Sequence, residues 1–76
     1  MSNSKVRMKT KIFREILARK NISQNGLGRV IKLTSGHVSQ LIRGTRNPSP
    51  ETRKKILKEL DVTFDQIFRI TDGKRR

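Results

Sequence analysis

Apolar residues in this chain recur at three- and four-residue intervals in short blocks, and each block predicts one helix. Ile12, Phe13, Ile16 and Leu17 share one face of a segment from about Lys9 to Lys20. Asn21 suits its end, because Asn tolerates the left-handed conformation. Leu27, Val30 and Ile31 mark a second helix from Gln24 to about Ile31, with Ser23 placed to cap its first N–H groups. Val38, Leu41 and Ile42 mark the buried face of a third, capped by Thr34 and stopped by Gly44. After the turn-rich "TRNPSPE", Ser49 and Pro50 open a fourth helix that runs to about Leu60, with Ile56, Leu57 and Leu60 inward. Thr63-Phe64-Asp65-Gln66 fits a capping box for a fifth, with Ile67, Phe68 and Ile70 inward. No strand pattern, repeat or interior domain boundary is visible. The fold expected is all-α, with residues 1–8 a flexible basic arm, 9–70 one domain and 71–76 a basic tail.

Size and charge narrow what such a domain can do. Seventy-six residues make one domain with a small core. There is no cysteine and a single histidine, His37, so neither a disulfide nor a protein metal site is expected. No apolar run is long enough for a signal peptide or a membrane span. No catalytic constellation is present, and neither enzyme activity nor a cofactor is expected. Nineteen Lys and Arg stand against six acids, a net charge of +13. Residues 1–22 hold seven of these bases against Glu15 alone. Residues 23–48 hold Arg29, Lys32, Arg43 and Arg46 with no acid, whereas residues 49–70 are nearly balanced. Such a surface attracts a phosphate polyanion by releasing its counterions. Three Phe and no Trp or Tyr argue against base-stacking platforms, and duplex backbone binding needs none.

One stretch invites a competing interpretation. "SQNGLGRVI", Ser23 to Ile31, contains Gly-x-Gly, which can mark a phosphate-cradling loop. Such a loop follows a strand and carries further glycines or a Gly-Lys-Ser/Thr ending, and neither is present here. The stretch is better read as a helix in which Gly28 permits close approach of a neighbour. Gly26 is expected to face solvent and to weaken the helix by up to about 1 kcal/mol.

Helices two and three are joined by only a few residues, the spacing of a helix-turn-helix. The run "SQNGLGRVIKLTSGHVSQLIRGTRNPSPET" resembles the lambda-repressor-like (Cro/XRE-type) DNA-binding domain. The matching positions are Ser23, Gln24, Leu27, Gly28, Ile31, Leu33, Thr34 and the Gly44 to Pro48 segment, within a likeness spanning roughly residues 12–68. The resemblance implies a compact five-helix domain. Helix three, about Ser35 to Arg43, would lie in the major groove, with helix two crossing the backbone above it.

The resemblance also implies roles for single residues. Ser35, Gly36, His37 and Gln40 take the positions that read bases. Gln40 is the strongest reader, because its amide both donates and accepts, as adenine's N6/N7 edge requires. Gly36 departs from the family, which usually carries a side chain there. Gln24 heads helix two, where N–H groups and the dipole favour an anion, and it can also brace helix three. Asn25 is a weaker phosphate candidate. Ser39, Arg43, Thr45, Arg46 and Asn47 fall where the family tracks the DNA backbone. Lys5, Arg7, Lys9 and Lys11 form a basic arm able to follow the backbone or enter a minor groove. The alternatives are a solvated surface residue for Gln40, His37, Arg43 and Arg46, an ordinary first-turn residue for Ser35, a forgone contact for Gly36, a charge-rich disordered tail for the arm and turn chemistry before Pro48 for Asn47.

The function implied is a sequence-specific double-stranded DNA-binding transcriptional regulator, a repressor of a phage or another mobile element. It would act in the cytoplasm of a bacterial cell or infected host. The expected partner is duplex DNA, with a weak or DNA-induced homodimer on helix five around Phe64, Ile67, Phe68 and Ile70, unless those residues all fill the monomer core. The alternatives are a protein-interaction module on the same fold, binding RNA polymerase, another repressor or a toxin, and a non-specific nucleic-acid-binding protein.

Overall fold

Every helix but the first begins at a residue whose side chain or ring suits the start of a helix, and most end at a residue that leaves helical space. In the computed structural model, which describes residues 4–72, the chain runs β1 (Ser4–Met8), α1 (Thr10–Arg19), α2 (Gln24–Ile31), α3 (Ser35–Arg43), α4 (Pro50–Leu60), α5 (Phe64–Ile67) and β2 (Phe68–Asp72). Residues 1–3 of the expected arm and the tail from Gly73 lie outside the described residues. Ser23 Oγ accepts from the Gly26 N–H at 2.9 Å, Thr34 Oγ1 from the His37 N–H at 3.1 Å and Ser49 Oγ from the Thr52 N–H at 3.3 Å. Each satisfies a donor that the first helical turn leaves without a partner, and each cap contributes about 1 kcal/mol. At the fifth helix the Gln66 side chain accepts the Thr63 N–H at 2.7 Å. Asn21 and Gly44 are left-handed, with φ of 57° and 82°, and close α1 and α3 as expected.

α2 and α3 are joined by three residues, Lys32, Leu33 and Thr34. Lys32 is left-handed (φ 62°) although nothing in its side chain favours that. The conformation lets the Leu33 N–H return to the Gly28 carbonyl at 2.8 Å. It also lays the turn directly on Gly28, where an added Cβ would stand 2.7 Å from the Leu33 carbonyl oxygen and 3.2 Å from Val38 Cγ2. Gly28 is therefore the close-approach residue. Gly26 is half-buried rather than solvent-facing, and its Cβ would meet only the Ser23 cap oxygen, at 3.0 Å.

The core draws on every element: Phe13 and Leu17, Leu27 and Ile31, Val38 and Leu41, Ile56 and Leu60, Ile67, and Met8 with Phe68 from the strands. No polar or charged side chain is buried among the described residues. Ile12 and Val30, expected inward, are 38% and 52% exposed, because each lies at the rim of its apolar stripe.

The strands are the principal departure from the sequence expectation. Residues 4–8, expected as a flexible arm, pair antiparallel with residues 68–72, setting Met8 opposite Phe68 and Val6 opposite Ile70. α5 accordingly ends at Ile67, and Phe68 is extended (φ −126°, ψ 159°). Ile70, expected in the core, is 64% exposed, while Ile67 and Phe68 are buried. A two-stranded ribbon is marginal alone. This one is anchored at its base, where Met8 and Phe68 enter the core. There the Lys9 N–H donates to the Ile67 carbonyl at 2.7 Å and Lys9 Nζ to the Asp65 carbonyl at 2.8 Å.

Phe68 lies 5.3 Å, centroid to centroid, from the Phe64 ring. Phe68→Ala is expected to lower the free energy of unfolding by about 3–5 kcal/mol in a denaturant titration. A loss below about 1 kcal/mol would mean that the ribbon is not part of the cooperative core. Gly28→Val is expected to abolish the cooperative transition, because two methyl groups cannot fit beneath a backbone carbonyl. Gly26→Ala should stabilise by less than about 1 kcal/mol, the propensity gain being partly offset by crowding of the cap. A destabilised Gly26→Ala would show that this turn tolerates no Cβ.

Candidate nucleic-acid interface

α3 owes its outward face to the way its inward face is fixed. Val38 and Leu41 are fully buried, so the positions opposite them project away from the core. Gly36, Gln40 and Arg43, at i, i+4 and i+7, stack along that outer face. Ser35 is exposed and Ser39 half-buried on one flank; His37 is half-buried on the other. Gly36 has nothing within 4 Å of where a Cβ would stand. Packing does not require a glycine there, and the backbone of the first turn is open to close approach.

The N-terminus of α2 is tied to the start of α3. Gln24 Nε2 donates to the Ser35 carbonyl at 3.0 Å, the bracing role expected of Gln24. Ser23 takes the Gly26 N–H with its side chain and the Leu27 N–H with its carbonyl, at 2.8 Å. The N–H groups of Gln24 and Asn25 precede those two and have no acceptor within the helix. Anions are favoured there by both the free donors and the helix dipole. Asn25 is exposed beside them.

Beyond α3 the chain is knotted to the helix end by hydrogen bonds. The Thr45 N–H and Oγ1 both donate to the Gln40 carbonyl, at 3.0 and 3.3 Å. Arg46 Nη1 donates to Gln40 Oε1 at 3.2 Å, and Arg43 Nη1 to Ser39 Oγ at 2.9 Å. Asn47 is exposed, whereas Pro48 is buried and anchors the segment. Arg53 was not singled out in the sequence, yet its Nη1 donates to the Pro48 carbonyl at 3.0 Å and holds this loop to α4. Its only signal is its position one turn inside a helix whose cap follows the loop.

The structure gathers the α2 and α3 candidates together and disperses the arm. Lys5 and Arg7 are exposed on the outer face of β1, opposite Thr71 and Arg69. The Arg7–Arg69 pairing sets two cations opposite one another across the ribbon, which is unfavourable in isolation. Lys9 is half-buried and committed to the Asp65 carbonyl. Lys11 is exposed in the first turn of α1, next to Thr10, whose methyl would lie 3.2 Å from a Cβ on Gly44. The ribbon base thus sits near the C-terminal end of α3.

Among the described residues no three His, Cys, Asp or Glu side chains come together to hold a metal, and no helix is long and apolar enough to cross a membrane. Between Ser23 and Pro50 there is no carboxylate side chain to compensate the cations around α3.

The crystal structure of a candidate DNA-binding protein from Bacteroides fragilis has the same fold, with a TM-score of 0.71 at 18% identity over 86% of this chain and 100% of that one. No curated protein sequence matches the chain. The family model for the helix-turn-helix matches residues 13–67, from the first buried residue of α1 to the end of α5. With its two capped helices, three-residue turn and braced third helix inside that match, this chain belongs to the Cro/XRE-type helix-turn-helix family.

Proposed function

We propose that the protein is a sequence-specific duplex DNA-binding regulator of transcription, acting as a repressor by occupying its site. The observation that carries this reading is the outward stripe of Gly36, Gln40 and Arg43 on α3, within an acid-free stretch of chain and braced by Gln24 and by the loop after the helix. In this reading α3 enters the major groove and Gln40 faces base edges, with Ser35 and His37 beside it. The Gln24 and Asn25 N–H groups meet one phosphate run, while Ser39, Arg43, Thr45 and Asn47 meet another. The bare Gly36 lets the helix start lie close to the groove. The membership in a DNA-binding family and the printed description of the B. fragilis protein point the same way.

One such helix reads only a few base pairs, so the proposed active form is a pair of copies on a near-palindromic site about one DNA turn apart. Of the four apolar residues considered for self-association, Ile67 and Phe68 are buried and Phe64 is packed against the core. Ile70 alone stays largely exposed, on the ribbon. A weak contact made only on DNA fits that surface better than a stable dimer in solution.

Affinity for duplex DNA is expected to fall steeply with salt, the slope of log K against log [salt] being about 0.9 per phosphate neutralised. Arg43→Ala should weaken binding to all duplexes alike and reduce that slope by about 1. A flat salt dependence would favour the protein-interaction reading. Equal affinity for random and selected duplexes would leave only a non-specific nucleic-acid binder.

A further inference from the structure

The geometry points to Arg46 as the residue that sets which base Gln40 reads, making guanine rather than adenine the preferred partner. This rests on the DNA-binding reading above and deepens it. A free glutamine amide offers one acceptor and a pair of donors, and it matches adenine because that edge needs one of each, N7 accepting and N6 donating. Gln40 is not free. Arg46 Nη1 donates to its Oε1 at 3.2 Å. The orientation of the amide follows from chemistry as well as from geometry, since a guanidinium has five donors and no acceptor and can engage only the oxygen of a glutamine. With one lone pair of Oε1 engaged and the guanidinium lying against that oxygen, donors predominate on the pair: the Nε2 hydrogens of Gln40 and the remaining N–H groups of Arg46, against a single remaining lone pair of Oε1. Guanine, with N7 and O6, is the base whose major-groove edge offers two acceptors side by side.

The contact is built into the fold. Arg46 lies six residues beyond Gln40, and the intervening chain is turned back by Gly44 in the left-handed conformation. Thr45 then fixes the return with two hydrogen bonds to the Gln40 carbonyl. Arg53, reaching the Pro48 carbonyl, holds the far side of the same loop. Arg46 is exposed and Gln40 half-buried, so the guanidinium forms the solvent-facing side of the pair at the end of the outward stripe. Arg46 accordingly acts through Gln40 as a positioning residue while also adding its own donors. This gives Arg46 a part in base choice, whereas position alone made it a phosphate contact.

The test is selection of binding sites from a random duplex library by the full chain, carried out in parallel for the wild type, Arg46→Ala and Gln40→Ala. Affinities of the enriched duplexes carrying G·C or A·T at the position that Gln40→Ala relaxes are then compared by competition. The expected result is a preference for guanine of about tenfold or more in the wild type, replaced in Arg46→Ala by a preference for adenine at the same position. Circular dichroism and thermal melting should be unchanged by Arg46→Ala, because the side chain is exposed. A wild type that selects adenine overturns the inference. So does an Arg46→Ala variant that loses affinity uniformly while keeping the wild-type base preference, which would make Arg46 a phosphate contact only. Failure to enrich any sequence would instead bring down the sequence-specific reading, and this inference with it.

Discussion

A backbone carbonyl lying on a bare Cα is the constraint on which the rest of this molecule depends. The Leu33 oxygen sits where Gly28 would carry a methyl group, and Val38 closes the other side of the same space. That approach fixes how closely α2 and α3 pack, and it is possible only because the turn between them is three residues long and opens with a left-handed Lys32. With the angle of the two helices set, Leu27, Ile31, Val38 and Leu41 become one buried cluster and the opposite face of α3 is necessarily the outward one. The Gln24 amide then locks the start of α3 to the start of α2. Surface chemistry follows from core geometry: the residues on the outward face of α3 are those left over when the packing of Val38 and Leu41 has been satisfied.

The ends of the chain complete the domain in a different way. β1 and β2 lie at opposite ends of the described chain and pair beside α5, with Met8 and Phe68 as the buried base. The outer face carries Lys5, Arg7 and Arg69, so positive charge that would trail from a loose arm is held on a ribbon. Ordering these cations reduces the entropy cost of engaging an anionic partner, at the expense of reach. The Arg7–Arg69 pairing is a local electrostatic cost that the burial of Met8 and Phe68 offsets.

What was legible in the sequence followed from local signals. Ser23, Thr34 and Ser49 cap as their positions suggest, Pro50 starts α4, and Asn21 and Gly44 end their helices, because each acts within one turn of itself. The core positions at helical spacing were readable for the same reason. The ribbon was not: "KVRM" and "FRIT" each alternate apolar and polar residues, but four residues are too few to declare a strand, and their partnership spans almost the whole chain. Lys32 and Asp61 adopt left-handed backbones with no glycine or asparagine to announce them. The candidate residues were located by resemblance, and the α2 and α3 candidates do fall on one connected surface. The hydrogen bonds of Arg46 to Gln40 and of Arg53 to Pro48 had no local signature, since they depend on how the loop folds back after Gly44. Those contacts change the chemistry of a position without changing its place.

We propose the outward face of α3, together with the first N–H groups of α2, as the surface that meets duplex DNA. Titrating the isotopically labelled chain with a selected duplex and following backbone amide and side-chain resonances tests it most directly. The largest changes are expected at Gly36, Gln40 and Arg43 on α3 and at the Gln24 and Asn25 amides, with smaller ones along the loop through Arg46. Changes centred on Val30, Lys55 and Lys58, between α2 and α4, with α3 unperturbed would contradict it.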